Sequence, residues 1–146
     1  MSSVVAPSPA AERRLGPGGD STRWSLPTDG LPVFDHVMVD REHRTISCEL
    51  FVPRELRVLR DHFPAAPIVP GVMQVAWAVE LACRHGLASG PLRGILTAKF
   101  RRLVFPGMRL AARVESGPAA GQCCFVFELD GEAVSTGRLQ FGAGRD

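Results

Sequence analysis

Apolar and polar residues alternate between Thr45 and Val52, where every second side chain is apolar. Strict alternation is typical of a β-strand with one buried face. A shorter apolar run, Phe34 to Val39, precedes this stretch, and the polar residues 40–43 separate the two. The pattern therefore predicts two antiparallel strands joined by a tight turn.

A helical pattern begins at Gly71 and continues to about Arg84. Apolar side chains recur there at the three- and four-residue spacing that places them on one face of a helix. Met73 and Trp77 extend the apolar surface around most of the circumference. A helix with so little polar surface is expected to be buried, and a curved sheet is its natural cover. Gly86 can end the helix, because glycine readily adopts the left-handed conformation of a C-cap.

The rest of the chain has the period-two pattern of strands, interrupted by turn residues. Asp130-Gly131 between two alternating runs is a strong hairpin signal, and Pro106-Gly107 marks another turn. The predicted strands cover residues 95–105, 110–114, 123–129 and 133–141. We therefore predict the α+β class, with an antiparallel sheet wrapped around one long central helix.

Composition limits the number of domains and the kinds of partner. A chain of 146 residues with 45% hydrophobic and 22% charged residues suits one globular domain. Residues 1–30, rich in Ser, Pro, Ala and Gly, are predicted to form a flexible leader, and residues 31–146 the domain. A net charge of +2 is too small to indicate a nucleic-acid surface, and 12 prolines with 15 glycines exclude a long helical bundle.

The cysteines indicate a reducing compartment. Cys123 and Cys124 are neighbours whose side chains should point to opposite faces of a strand, and neither they nor Cys48 and Cys83 have the spacing of a metal site. Residues 1–20 lack the apolar core of a secretory signal. The uncharged stretch 63–79 contains three prolines and is short for a bilayer span. We expect a cytoplasmic protein without a membrane span.

One segment combines the features of a catalytic site. His62 lies in a loop stiffened by Pro64, Pro67 and Pro70, which leads directly into the amino end of the predicted helix at Gly71. Free backbone N–H groups and the helix dipole at that end can stabilise a developing oxyanion. The segment therefore places a candidate base beside a candidate oxyanion site.

The same segment resembles the signature of the hotdog-fold 3-hydroxyacyl-(acyl-carrier-protein) dehydratases. That signature is a His-Phe-Pro-x-x-Pro-x-x-Pro-Gly-Val run at the entrance to the central helix, and residues 62–72 match it at every specified position. Weaker similarity extends over about residues 34–141. Residues 71–77 are most similar to the branch found with aryl-polyene pigment synthesis, whose members tend to have Gln and Trp here.

The resemblance implies a hotdog fold and a reaction in fatty-acid, polyketide or aryl-polyene type synthesis. The substrate is a 3-hydroxyacyl thioester on the phosphopantetheine of acyl carrier protein, and no cofactor is needed. By the resemblance, His62 removes the α-proton, and the N–H groups of Gly71 and Val72 surround the thioester oxygen. A carboxylate on the central helix of the other subunit protonates the departing hydroxyl, so the sites of the dimer span its interface.

The chain departs from this pattern at the carboxylate. The Asp or Glu of the family falls at Ala76, which cannot donate a proton. General acid catalysis typically contributes about 10²- to 10⁴-fold in rate. A homodimer with the standard arrangement is therefore expected to be an impaired dehydratase.

Three interpretations remain open. In the first, Glu80, one turn beyond Ala76, replaces the acid, and burial beside Trp77 would favour its protonated form. The competing assignment for Glu80 is an ion pair with Arg84 at the i, i+4 spacing. In the second, a paralogous subunit of a heterodimer supplies the carboxylate. In the third, the protein binds acyl thioesters or acyl carrier protein without dehydration, or hydrolyses thioesters.

Other residues are assigned to the substrate and to the carrier. Met73, Trp77 and Phe100 are expected to line the acyl tunnel, whose depth sets the chain length of the substrate. Arg101 and Arg102 are candidates for a basic rim that receives the acidic carrier protein. The alternative is ordinary surface arginine in a chain with very little lysine.

No metal site and no nucleic-acid partner are predicted. His36, His43 and His85 show no metal-ligand spacing and are interpreted as structural or solvated. The sequence has no aromatic platform motif of the RNA-recognition type. A single hotdog domain would leave a sheet edge and one side of the tunnel open, so we expect a homodimer or a heterodimer with a related subunit.

Overall fold

The computed structural model describes residues 30–54, 56 and 68–143. In order along the chain, its elements are β1 (Val33–Asp40), β2 (Thr45–Phe51), α1 (Gly71–Arg84), β3 (Leu92–Phe100), β4 (Arg109–Ser116), β5 (Gln122–Leu129) and β6 (Glu132–Phe141). The predicted leader falls almost wholly on residues 1–29, outside the described residues, and stays a prediction.

The six strands form one antiparallel sheet with the order β1-β2-β4-β5-β6-β3. The hairpins β1–β2, β4–β5 and β5–β6 connect neighbours, whereas α1 carries the chain from β2 to the far edge, where β3 pairs with β6. The predicted architecture, an antiparallel sheet with one long helix, is confirmed. The edges of the sheet are β1 and β3.

The central strands have the one-sided burial that their alternation predicts. In β2, β4 and β5 the apolar positions are buried and the intervening positions are partly or fully exposed. These buried side chains are Ile46, Cys48, Leu50, Leu110, Ala112, Val114, Cys123, Phe125 and Phe127. The buried face of the sheet belongs to the same core as the helix.

The helix is buried along most of its length, as its apolar circumference predicts. All residues from Met73 to Val79 are buried, together with Leu81 and Ala82. Trp77 is fully buried, and its Nε1–H donates to the carbonyl oxygen of Gly30 at 2.8 Å. This bond satisfies the polar atom of the largest core side chain and ties the helix to the segment that enters β1.

The carboxyl end of α1 is closed by a Schellman motif. Gly86 has a φ of 80°, and its N–H donates to Cys83 O at 3.4 Å. The N–H of Leu87 donates to Ala82 O at 2.8 Å, which is the second bond of the motif. The predicted role of Gly86 at the helix end is confirmed.

Strand β3 is shorter than the sequence predicts. It ends at Phe100 instead of continuing to residue 105. The N–H groups of Arg101 and Arg102 both approach Val134 O, at 2.8 and 3.4 Å, and Val104 O accepts from Val69 N–H at 2.8 Å. The chain therefore leaves β6 and turns toward the segment that enters α1, a long-range interaction that strand periodicity does not encode.

The turn and cysteine predictions are also confirmed. Asp130 and Gly131 both have positive φ, 53° and 84°, as the tight turn between β5 and β6 requires. All four cysteines are free, and Cys123 is buried while Cys124 on the opposite face is partly exposed. Burial raises the pKa of Cys48 to about 12 and that of Cys123 to about 11, so both thiols are protonated at neutral pH.

Within the described residues, no helix has the length and hydropathy that a membrane crossing requires.

Candidate active site

The amino end of α1 has two backbone donors without an acceptor in the described part of the chain. Pro70 is the N-cap, with φ −65° and ψ 152°, and no side chain caps the helix. The N–H groups of Met73 and Gln74 both approach Pro70 O, at 3.1 and 3.3 Å. No bond from the N–H of Gly71 or Val72 occurs among the described residues. These are the two N–H groups that the family resemblance assigns to the thioester oxygen.

Phe100 lies directly against Gly71. A methyl group on Gly71 would be 2.7 Å from Cε2 of the Phe100 ring, closer than non-bonded carbons approach. The end of β3 thus brings an aromatic side chain, 44% exposed, to the helix terminus. The Phe100 ring thus occupies the space that a side chain at residue 71 would need, and the predicted carbonyl-binding residue and the predicted tunnel residue are neighbours.

Two hydrogen bonds at Val69 fix the segment that leads into α1. Val69 is buried and donates its N–H to Val104 O at 2.8 Å. The Nε2 group of Gln74 donates to Val69 O at 3.3 Å, while its Oε1 is buried without a partner among the described residues. Gln74 was assigned no role from sequence, although its polar type inside an otherwise apolar helix was the available signal.

His62 lies outside the described residues, as do Pro64 and Pro67. Its assignment as the base therefore stays a prediction. The described helix begins at Gly71, the residue at which the motif predicts that it begins.

Ala76 occupies the buried middle of α1 and is only 2% exposed. Its methyl group supplies no proton donor. The two predicted tunnel residues nearby, Met73 and Trp77, are also buried, and Trp77 is held by its bond to Gly30 O. These side chains belong to the packed core around the position where the family carries its acid.

Glu80 forms an ion pair with Arg84. Its Oε2 is 2.9 Å from Arg84 Nη2, and the two side chains are 15% and 14% exposed. The Arg84 guanidinium also lies 5.0 Å from the centroid of the Phe34 ring in β1. Glu80 is thus paired with a residue of its own helix, as the competing assignment predicts, although the pair is mostly buried instead of solvated. The contact with β1 is made by Arg84.

The candidate carrier-binding arginines lie on the surface at the end of β3. Arg101 and Arg102 are both exposed, and Arg102 Nη1 is 3.2 Å from Glu132 Oε1. Arg54 is exposed too, with its guanidinium beside Gly107. Arg101 and Arg102 thus place exposed positive charge directly after Phe100 in the chain.

An exposed apolar surface follows the same strand. The helix start contributes Val72, which is 62% exposed. The others lie on β3 or on the segment after it, and are Ile95, Leu96, Phe100, Leu103 and Phe105. Since β3 is an edge strand, this apolar surface adjoins unpaired backbone groups.

One group of potential metal ligands crosses two strands. Side-chain ligand atoms of Asp35, His36 and Glu49 lie within 4.8 Å of one another, and Asp35 pairs with Glu49 across β1 and β2. Sequence spacing missed the group because Glu49 comes from the neighbouring strand. The carboxylate of Glu49 already has a cation beside it, because Arg109 Nη1 is 3.4 Å from Oε1.

Comparison with known proteins identifies the relatives of the chain. The family model described as "ApeI-like: ApeI dehydratase" matches residues 38–138. The 3-hydroxyacyl-(acyl-carrier-protein) dehydratase FabZ of Acetivibrio thermocellus is 37% identical over an alignment of 92 residues, which covers 56% of this chain and 63% of that protein. The matched part therefore spans less than two thirds of this relative.

Two solved structures share the fold. One is the dehydratase heterocomplex ApeI:P from Xenorhabdus doucetiae, with a TM-score of 0.66, 24% identity, and coverage of 77% of this chain and 98% of that one. The other is an uncharacterized protein from Erwinia carotovora subsp. atroseptica, with a TM-score of 0.68, 23% identity, and coverage of 77% and 96%. These likenesses confirm the expected hotdog fold.

Proposed function

Because the chain belongs to the ApeI-like dehydratase family, we propose that it dehydrates 3-hydroxyacyl thioesters carried on acyl carrier protein, in synthesis of the fatty-acid, polyketide or aryl-polyene type. The observation that carries the proposal is the open amino end of α1. There the N–H groups of Gly71 and Val72 have no acceptor among the described residues, and Phe100 lies beside them. A carbonyl oxygen that becomes negatively charged is the ligand this end would favour.

In the proposed reaction, His62 takes the α-proton of the 3-hydroxyacyl thioester. Electron density moves onto the thioester oxygen, where the N–H groups of Gly71 and Val72 and the helix dipole stabilise it. The electrons then return to form the α,β double bond, and the carbon–oxygen bond at C3 breaks. The leaving hydroxyl takes a proton from an acid, so the products are the enoyl thioester and water.

The acid in this scheme comes from a second subunit. Ala76 has no proton to give, and Glu80 is engaged by Arg84 at 2.9 Å, so proton donation by Glu80 would require that contact to break. A heterodimer in which a paralogous hotdog subunit carries the carboxylate supplies what is missing. The dehydratase ApeI:P from Xenorhabdus doucetiae is itself a heterocomplex, which supports this arrangement by analogy.

The β3 edge is the proposed contact with that subunit. Its exposed apolar residues, with Val72 62% exposed at the helix start, would be buried by a second sheet that pairs with β3. Such a contact would bring the partner close to Gly71, because Phe100 at the end of β3 contacts it. A homodimer would use the same edge but would lack the acid.

The acyl carrier protein is the proposed donor of the substrate. Arg101 and Arg102 are exposed directly after β3, and Arg54 is exposed beside Gly107. Together they would provide a basic rim for an acidic carrier. The phosphopantetheine arm would deliver the thioester to Gly71, and the acyl chain would pass Phe100 toward Met73 and Trp77. Affinity for the carrier should fall as salt is added, since exposed charges are screened.

The test is an assay of enoyl product with a 3-hydroxyacyl carrier thioester. The chain alone should give little product, and a paralogous hotdog subunit that carries the helix carboxylate should restore it. His62→Ala in this chain should then lower the rate of the mixture by about 10²-fold or more. Free acid as the product would instead indicate a thioesterase, and carrier binding without turnover a non-catalytic subunit.

A further inference from the structure

A cavity of about 540 Å³ lies beyond the carboxyl end of α1. Its walls come from the loop after the helix, the connection between β4 and β5, and the segment after β6. A helix of 14 residues is about 20 Å long, at about 1.5 Å per residue, so this cavity is far from Gly71. We call it the Arg44 cavity, after the arginine in its wall.

Arg44 is the one charged side chain among the lining residues that the structure describes. Its Nε–H donates to Ser116 Oγ at 2.6 Å and its Nη2 to Leu87 O at 3.2 Å. Nη1 has no bond among the described residues, and none of the described residues that line the cavity carries a carboxylate. A guanidinium fixed by two bonds thus retains donors for an anion.

Another part of the cavity wall is held by hydrogen bonds of side-chain amide groups. Gln122 Nε2 donates to Gln140 Oε1 at 3.3 Å, and Gln140 Nε2 donates to Ala120 O at 3.3 Å and to Phe141 O at 3.1 Å. The backbone N–H of Phe141 donates a hydrogen bond to Gly121 O at 2.8 Å. The cavity is therefore preformed, which lowers the entropy cost of binding.

The helix dipole does not oppose an anion strongly at this end. The last carbonyl groups of α1 already accept bonds, Leu81 O from His85 N–H and Ala82 O from the N–H groups of Leu87 and Ala88. Arg44 adds a positive charge at Leu87 O. The described wall of the cavity therefore carries a positive charge at the end of the helix.

We propose that the Arg44 cavity binds a small organic carboxylate. A carboxylate matches the planar donor edge of a guanidinium, and one cation balances its single charge. Much of the remaining wall is small or apolar, as at Leu87, Pro118 and Phe141, and suits a short hydrocarbon part. A phosphate dianion would find only half of its charge compensated by these residues.

The probe is butanoate, titrated into the full chain at fixed ionic strength while glycine amide resonances are followed by NMR. Gly117, Gly121 and Gly142 line the cavity, whereas Gly107 and Gly131 lie in turns outside it. The proposal predicts saturable shifts of the first three and none of the last two. Butanamide, which has the same shape without the charge, should give no shift.

Arg44→Gln should weaken butanoate binding by at least about tenfold, because it removes hydrogen bonds to a charged group. Arg41→Gln is the matched control, since Arg41 is exposed on the same turn and does not line the cavity. Unshifted Gly107 and Gly131 signals would show that the variants keep the fold. Equal binding by Arg44→Gln, or shifts that grow linearly across the protein, would overturn the proposal. Tighter binding of inorganic phosphate than of butanoate would also overturn it, in favour of a phosphate site.

Discussion

The two ends of α1 differ in how their backbone groups are satisfied. At the carboxyl end, Gly86 and the Leu87 N–H close a Schellman motif, and Arg44 donates to Leu87 O. At the amino end, no side chain caps the helix, and the N–H groups of Gly71 and Val72 have no acceptor among the described residues. The same helix is thus closed at one end and left open at the other.

This difference separates residues needed for stability from residues available to a substrate. At the closed end, Glu80 and Arg84 pair with each other at 2.9 Å. Donors at the open end remain available for a ligand that carries developing negative charge. Changes at the amino end should therefore alter activity, and changes at the carboxyl end should alter the free energy of unfolding.

The largest effect is expected from Gly71→Ala. The added methyl group would lie 2.7 Å from the Phe100 ring, which must then move away from the proposed thioester site. Since Phe100 is partly exposed and free to move, the free energy of unfolding should change little. The kcat/KM of the chain with its partner subunit should fall by about 10²-fold, because small displacements at a reacting centre are costly.

Gly94→Ala is the control for Gly71→Ala, because a methyl group there meets nothing within 4 Å. It should leave kcat/KM unchanged. The double variant Gly71→Ala/Phe100→Ala should recover part of the lost activity by removing the clash. Full activity of the single variant would show that Gly71 is not beside the substrate.

Glu80→Gln distinguishes a structural role from an acid role. The change weakens a mostly buried ion pair with Arg84 and should lower the free energy of unfolding by about 2 kcal/mol in urea titrations. Activity should stay within about threefold, because Glu80 is not the proposed proton donor. Glu49→Gln removes the exposed pair with Arg109 and should cost at most about 0.5 kcal/mol. A loss of dehydration at unchanged stability would make Glu80 the acid.

Gly86→Ala tests the closed end alone. The φ of 80° is unfavourable for a residue with a Cβ, although the space around it is open. The free energy of unfolding should fall by about 1 kcal/mol, measured by thermal or urea unfolding. Activity below the unfolding transition should not change, and a loss of activity would break the separation between the two ends.

The smallest effect concerns His85, which follows the helix. Burial lowers the pKa of His85, and the nearby charges of Arg84 and Arg41 lower it further while Glu80 raises it. Between the lowered folded-state pKa and the ordinary value of about 6.5, the unfolded chain binds more protons. This contribution to stability is therefore full above about pH 6.5 and is lost as the pH falls.

His85→Gln should reduce the loss of stability between about pH 7 and about pH 5, as urea unfolding at both values would measure. Asp40 does not change its charge between these two pH values. A hydrogen bond from the backbone N–H of His43 lowers the pKa of its carboxyl from the ordinary 3.8. An identical pH dependence in the variant would assign the effect to other groups.

Local patterns predict much of this fold, because their causes are local. Alternation identifies β2, β4 and β5, and the positive φ of Gly86 and Gly131 follows from glycine at a helix end and a tight turn. The end of β3 was not predictable, since it depends on Val69 N–H reaching Val104 O. Contacts between distant segments have no signature in a local period.

In the candidate sites, too, local features are predictable from the sequence and contacts between distant segments are not. The i, i+4 spacing indicates the Glu80–Arg84 pair, and the motif places Gly71 at the helix start. The contact of Gly71 with Phe100 and the cavity beside Arg44 arise from segments far apart in sequence, so only the fold reveals them. His62, outside the described residues, stays a prediction from the motif.

We propose that the open end of α1 forms a dehydratase site that lacks only a carboxylate. Ala76→Asp restores an acid at the position where the family carries it, and Ala76→Asn is the control for size and polarity. With a 3-hydroxyacyl carrier thioester, the Asp variant alone should form enoyl product at least about 10²-fold faster than the unchanged chain, and the Asn variant should not. A folded, dimeric Ala76→Asp variant with no gain in product would contradict the claim.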